Sequence, residues 1–171
     1  MIIFKTTIGE LTNNVYYEHI LVPKDIHDKL VTDSNRRVIC RVDNYEAFHA
    51  GLMPDGNGHF FIIMNKARMK AFKLVIGQEV SVSLEQDTSK YGMPMPKEFE
   101  EVLSTDAEGE KFFENLTDGK KRNLIYMIAK VKNVDLKITK SLIILDHLKA
   151  NNGKLDFKML NEAMKVKNRK F

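Results

Sequence analysis

The stretch Met93-Pro94-Met95-Pro96 constrains this chain more than any other feature. Two prolines at alternate positions withhold two backbone donors and fix φ, so neither a sheet interior nor a helix interior can run through them. The apolar period also changes there, from every second residue before the prolines to every third or fourth after them. Neither one sheet nor one helical bundle accommodates such a chain. The expected class is α+β: a small N-terminal β-barrel with short helices over residues 1–90, followed by an α-helical C-terminal domain over 91–171.

Ile2, Phe4, Thr6 and Ile8 alternate with Ile3, Lys5 and Thr7, as in a half-buried strand. Residues 15–22 are rich in branched and aromatic side chains and stop at Pro23. Val38, Cys40 and Val42 face one way, Arg37, Arg41 and Asp43 the other. Runs 45–53 and 59–64 flank Pro54-Asp55-Gly56-Asn57-Gly58, where Gly and Asn tolerate the positive φ of a tight hairpin. Val80, Val82 and Leu84 form a last alternating strand, and Gly77 before it is expected at positive φ. Helices are expected at 23–31, with Pro in the first turn, and at 65–74, capped by Asn65. About six short strands with short connections predict a closed barrel.

Beyond the prolines the pattern is helical. Glu98, Glu100 and Glu101 sit in the first turn of a helix over 97–103, where the dipole favours acids. Thr105 and Glu108 have capping-box spacing for the next helix, which carries Phe112, Phe113 and Leu116. A helix from Thr117 or Asp118 buries Leu124, Ile125, Ile128 and Val131. Asp135 is expected to cap another, with Ile138, Leu142, Leu145 and Leu148 on one face, ended by Asn151-Asn152-Gly153. Asp156 caps the last, and a frayed tail follows from Lys165.

The formal charge of +4 is unevenly placed. Residues 1–95 hold 11 Lys+Arg and 11 Asp+Glu; 96–118 hold two against eight; 119–171 hold 14 against four. The excess therefore lies in the C-terminal third. Two readings follow: neighbouring helices neutralise one another, or the basic third meets phosphate. One cysteine excludes a disulfide framework and suits a reducing compartment. No apolar run approaches the ~20 residues of a membrane span, and the first residues read as a strand, so a cytoplasmic protein is expected.

The segments HFFIIMNKARMKAFKLVIGQEVSVSLEQD, PMPKEFEEVL and FFENLTDGKKRNLIYMIAKVKNVDLKITKSL together resemble a bacterial family over about residues 1–150. That family joins an N-terminal barrel of unknown function to the helical YdeI/OmpD-associated, bacteriocin-protection-type domain. The resemblance is most specific at Asn65-Lys66, Leu74, Gly77 and Val80, then at Leu116, Gly119-Lys120-Lys121-Arg122 and Ala129-Lys130. Where the family carries two arginines this chain has Asp135, Lys137 and Lys140, which keeps positive charge without the guanidinium fork. The resemblance implies a cytoplasmic accessory role of stress or bacteriocin-protection type.

No catalytic constellation assembles from the sequence. His19, His27, His49, His59 and His147 form no metal-ligand motif, although His49 and His59 flank the hairpin and could lie opposite one another. Cys40 alternates with apolar residues and reads as a small buried hydrophobe. The expectation is a binding protein and not an enzyme, with no cofactor, monomeric or homodimeric, taking a protein or small-molecule ligand, with apolar Met93, Met95 and Phe99 at the joint. The alternative is non-specific nucleic-acid binding by Lys120, Lys121, Arg122, Lys130, Lys132, Lys137 and Lys140. Only Tyr126 lies among these cations as an aromatic, so that pattern favours phosphate contact over base stacking.

Overall fold

In the computed structural model the described residues are 1–11, 17–31 and 34–168, and the chain separates into two units, Met1–Gly92 and Met93–Phe171. The first unit contains β1 (Ile2–Leu11), β2 (Tyr17–Val22), α1 (Lys24–Leu30), β3 (Arg37–Val42), β4 (Phe48–Gly51), β5 (Met53–Pro54), β6 (Phe60–Met64), α2 (Lys66–Ala71) and β7 (Glu79–Gln86). Its strands run in the order β4-β3-β7-β1-β2-β6-β5, all neighbours antiparallel. β1 serves both halves of the sheet. Ile2 to Thr7 pair with β7, and Ile8 to Leu11 pair with β2.

The two outer strands, β4 and β5, are consecutive in sequence, separated only by Leu52. The 45–53 run expected as one strand is thus bent: residues 48–51 pair with β3, while Met53 and Pro54 pair with β6. The bend nearly closes the barrel, because each end of the sheet is finished by the same short segment. Alternation dictates the core. Ile8, Ile20, Val22, Val38, Cys40, Val42, Ile62, Met64, Val80, Val82 and Leu84 turn inward, and Ile26, Leu30, Met69 and Leu74 from α1, α2 and the following turn join them. Asn65 caps α2 by accepting the Arg68 amide at 2.8 Å, as its position predicts. Gly77 has φ +85°, with its amide on the Ile8 carbonyl at 2.8 Å. Residues 15 and 16 of the run expected before Pro23 lie outside the described residues.

The second unit contains α3 (Lys97–Thr105), α4 (Ala107–Glu114), α5 (Asp118–Ala129), α6 (Val134–Ala150) and α7 (Phe157–Asn168). α6 is central and packs against the other four. Phe99 and Phe113 meet edge to face, ring centroids 5.2 Å apart, a geometry aromatic quadrupoles favour. Leu103, Leu124, Ile125, Ile128, Ile144, Leu145, Leu148 and Leu160 are buried in the same unit.

Four local expectations are corrected. α3 runs through Thr105, so that residue cannot cap α4; Asp106 does, accepting the Gly109 amide at 2.9 Å. Asn133, not Asp135, caps α6, accepting the Leu136 amide at 2.8 Å. Leu142 is 45% exposed, while Ile143 and Ile144 are buried, because a helix surrounded by four others buries more than one stripe. α7 continues to Asn168, past the expected start of fraying, and residues 169–171 lie outside the described ones. Asp156 caps α7 as expected, accepting the amides of Lys158 and Met159.

Candidate functional site

The seven cations singled out in the sequence occupy α5, α6 and the turn between them. The acidic segment reaches two of them. Lys121 Nζ lies 3.2 Å from Glu114, and Lys137 Nζ lies 2.9 Å from Glu98, with both lysine side chains largely enclosed. A third lysine of the basic stretch, Lys149, meets Asp106 at 2.5 Å. Hydrogen bonds from Lys149 and the Gly109 amide hold the Asp106 carboxyl below its ordinary range. Asp106 therefore ties α4 to α6 while capping α4. Part of the positive charge is thus consumed inside the unit.

The other candidates differ. Arg122 is half-buried and engaged within the fold. Lys120, Lys130 and Lys132 are exposed, and Lys140 is partly so. Lys130 Nζ sits 5.8 Å from the centroid of the Tyr126 ring, near the outer limit of a cation–π contact. Along the outward side of α5 follow Gly119, Asn123, Tyr126 and Lys130, spaced by four, three and four residues and therefore on one helical stripe. Tyr126 is 60% exposed. Of the expected joint residues, Met93 and Met95 are half-buried, whereas Phe99 is fully buried in the helical core.

The barrel carries a polar cluster the sequence reading missed. Asp87, just beyond β7, is 2% exposed. Its carboxylate accepts the Ser89 hydroxyl at 2.6 Å, the Ser89 amide at 3.0 Å and His49 Nδ1 at 2.7 Å. Burial alone would raise its pKa, but the bonds from Ser89 and His49 outweigh that and lower it. An ionised carboxylate only accepts, so Nδ1 of His49 carries a proton, and Nε2 is left as the ring's other nitrogen. The Arg37 guanidinium donates to the Gly92 carbonyl at 2.7 and 3.2 Å, and Asn35 donates to the Asp87 carbonyl at 3.0 Å. Gly92 has φ +68°, and a Cβ there would meet Arg37 at 2.9 Å. The cluster fastens residues 87–92 to the barrel wall. The Asp87-Thr88-Ser89 triplet is the signal that could have revealed it, since Asp followed by Ser two residues on commonly closes such a turn.

His49 and His59 do not share a site. Each has its own carboxylate, Asp87 and Asp55. Cys40 is fully buried, and burial pushes its thiol up to about 12, so it is a core residue without nucleophilic character at neutral pH. A shallow hollow on the barrel includes Ile39, Arg41, Ala47, Ser83 and Glu85. Among the described residues no three metal-ligating side chains converge, and no helix is long and apolar enough to cross a membrane.

Residues 4–84 match the family model described as a domain of unknown function (DUF1905), and residues 93–151 match the model described as bacteriocin-protection, YdeI or OmpD-associated. The first match ends before the proline joint, and the second begins at its first residue, Met93. No curated protein and no solved structure gave a significant match.

Proposed function

Because the chain joins a DUF1905 domain to a bacteriocin-protection, YdeI or OmpD-associated domain, we propose that it is a cytoplasmic binding or accessory protein acting in bacteriocin protection. The match over 93–151 carries this reading. The polar clusters agree with it, since His49–Asp87–Ser89 and Asp106–Lys149 are used in holding the fold. The domains proposed to do this are 1–90 and 91–171, each with its own core. Bacterial cells expressing the full chain should survive a panel of bacteriocins better than cells with empty vector. Identical killing across the panel at verified expression overturns the reading.

A second reading is favoured by the exposed cations. Lys120, Lys130, Lys132 and Lys140 remain after Lys121 and Lys137 are neutralised. These four are proposed to contact nucleic-acid phosphates without reading sequence. Log K for duplex DNA should then fall linearly with log[salt], and replacing all four with Ala should flatten the slope by at most about 3.6, at about 0.9 per contact. Replacing Lys121 and Lys137 should leave the slope unchanged. Absence of binding at ~50 mM salt ends this reading.

A further inference from the structure

The outward stripe of α5 combines two features that a purely electrostatic surface does not need. Leaving a tyrosine ring in water forgoes the burial that stabilises aromatic side chains elsewhere in this molecule. Tyr126 is 60% exposed, and it is the one aromatic so exposed among the residues whose side chains are described. Tyr45, by contrast, stacks on Phe72 with centroids 4.6 Å apart. Cations lie beyond Tyr126 in both directions along the chain: Lys130, the α5 C-cap, four residues after it on the same stripe, and Lys120 six residues before it, about 120° round the helix axis. From Gly119 to Lys130 the stripe is about 16 Å long at 1.5 Å per residue. Nothing approaches within 4 Å of the position a Cβ would take on Gly119, so the N-terminal end of the stripe is open, and Asn123 beside it is exposed.

We propose that this stripe is a single-strand nucleic-acid site in which Tyr126 stacks on one base, Lys130 on the stripe and Lys120 reaching round from beside it meet the flanking phosphates, and Asn123 contacts sugar or base edge. The proposal rests on the phosphate-binding reading and deepens it. A duplex keeps its bases stacked on one another and offers Tyr126 no free face, so the aromatic specifies the single strand. An acidic peptide would satisfy the lysines and leave the ring without a role. Lys130, already poised over the ring at 5.8 Å, gives way to the base at small cost, because a contact that long is weak. The sequence holds one aromatic among its cations, which argued against stacking; the exposure of that ring is what reverses the argument.

The chain contains no tryptophan, so Tyr126→Trp in the full-length protein makes the site its own reporter. Titration with an oligothymidylate at ~50 mM salt should quench the emission, and the oligothymidylate should bind more tightly than a duplex of equal phosphate count. Tyr126→Ala should weaken oligothymidylate binding about tenfold and duplex binding less than about twofold, whereas Tyr126→Phe keeps the stack and the affinity. Because the ring is exposed, Tyr126→Ala should melt with the unaltered protein, which separates loss of the site from loss of the fold. Binding of both nucleic acids with a normal salt slope but no quenching overturns this proposal and leaves the phosphate reading standing. No binding of either overturns both. Polyglutamate quenching as strongly as the oligothymidylate assigns the stripe to acidic peptides and overturns it as well.

Discussion

Asp87 shows how much one buried carboxylate can hold in place. Three donors converge on it, two from Ser89 and one from His49, and its removal leaves all three facing a site closed to water. Asp87→Ala should therefore destabilise the barrel by about 2 kcal/mol, read from the denaturation midpoint. Its pKa lies below 3.8, so its contribution is complete above that value and is lost as pH falls through the folded one. His147 works in the opposite range. It is 8% exposed, burial lowers its pKa from 6.5, and Nε2 accepts the Asp156 amide at 3.2 Å. Below pH 6.5 the unfolded chain takes up a proton the folded one resists, so stability is full above 6.5 and declines beneath it. Melting of His147→Gln between pH 7.5 and pH 5.5 should show a shallower dependence than that of the unaltered chain; equal slopes would refute the assignment. Of the Asp87 cluster only the local turn was legible, in Asp87-Thr88-Ser89; its His49 partner is 38 positions away, and nothing in a helical stripe marks His147 as enclosed.

Elements were more readable than their ends. Alternation at Val38-Cys40-Val42 and Val80-Val82-Leu84 identified inward faces because a strand's two sides are chemically distinct. Caps were harder, since Thr105, Asp106, Asn133 and Asp135 all suit the role and packing chooses among them. Asp106 has two tasks, and the consequence is measurable. Asp106→Ala removes the cap of α4 and should cost about 1 kcal/mol from that alone, whereas Lys149→Ala keeps the cap, loses the ion pairs to Asp106 and to the more exposed Asp146, and should cost less. Equal effects in thermal melts would show that the cap contributes nothing. The turn before β7 allows a similar test. Nothing lies near a Cβ on Gly77, so Gly77→Ala measures strain at φ +85° alone, about 1 to 2 kcal/mol, and Gly77→Val should cost more.

At the scale of the whole molecule, the division at the prolines was visible because the apolar periodicities differ on the two sides of the stretch from Met93 to Pro96. Neutralisation between neighbouring helices was one of the two readings the charge pattern offered, but which residues pair was not visible, since Lys137 and Lys149 lie 39 and 43 residues from their acids. Every member of the barrel core lies within residues 8–84. A fragment spanning 1–92 should accordingly melt in one cooperative transition by circular dichroism, and a gradual loss of signal would show that it borrows stability from the helices. The strand order has a further consequence, for synthesis on the ribosome. β7, the last strand made, lies between β1 and β3 and is hydrogen-bonded to both. Until residue 86 has cleared the exit tunnel, the earlier strands have their middle neighbour missing and two open edges in its place. Nascent chains of this protein therefore depend on the strand that arrives last, and the interval before it arrives is when they are most exposed to association with other unfinished chains.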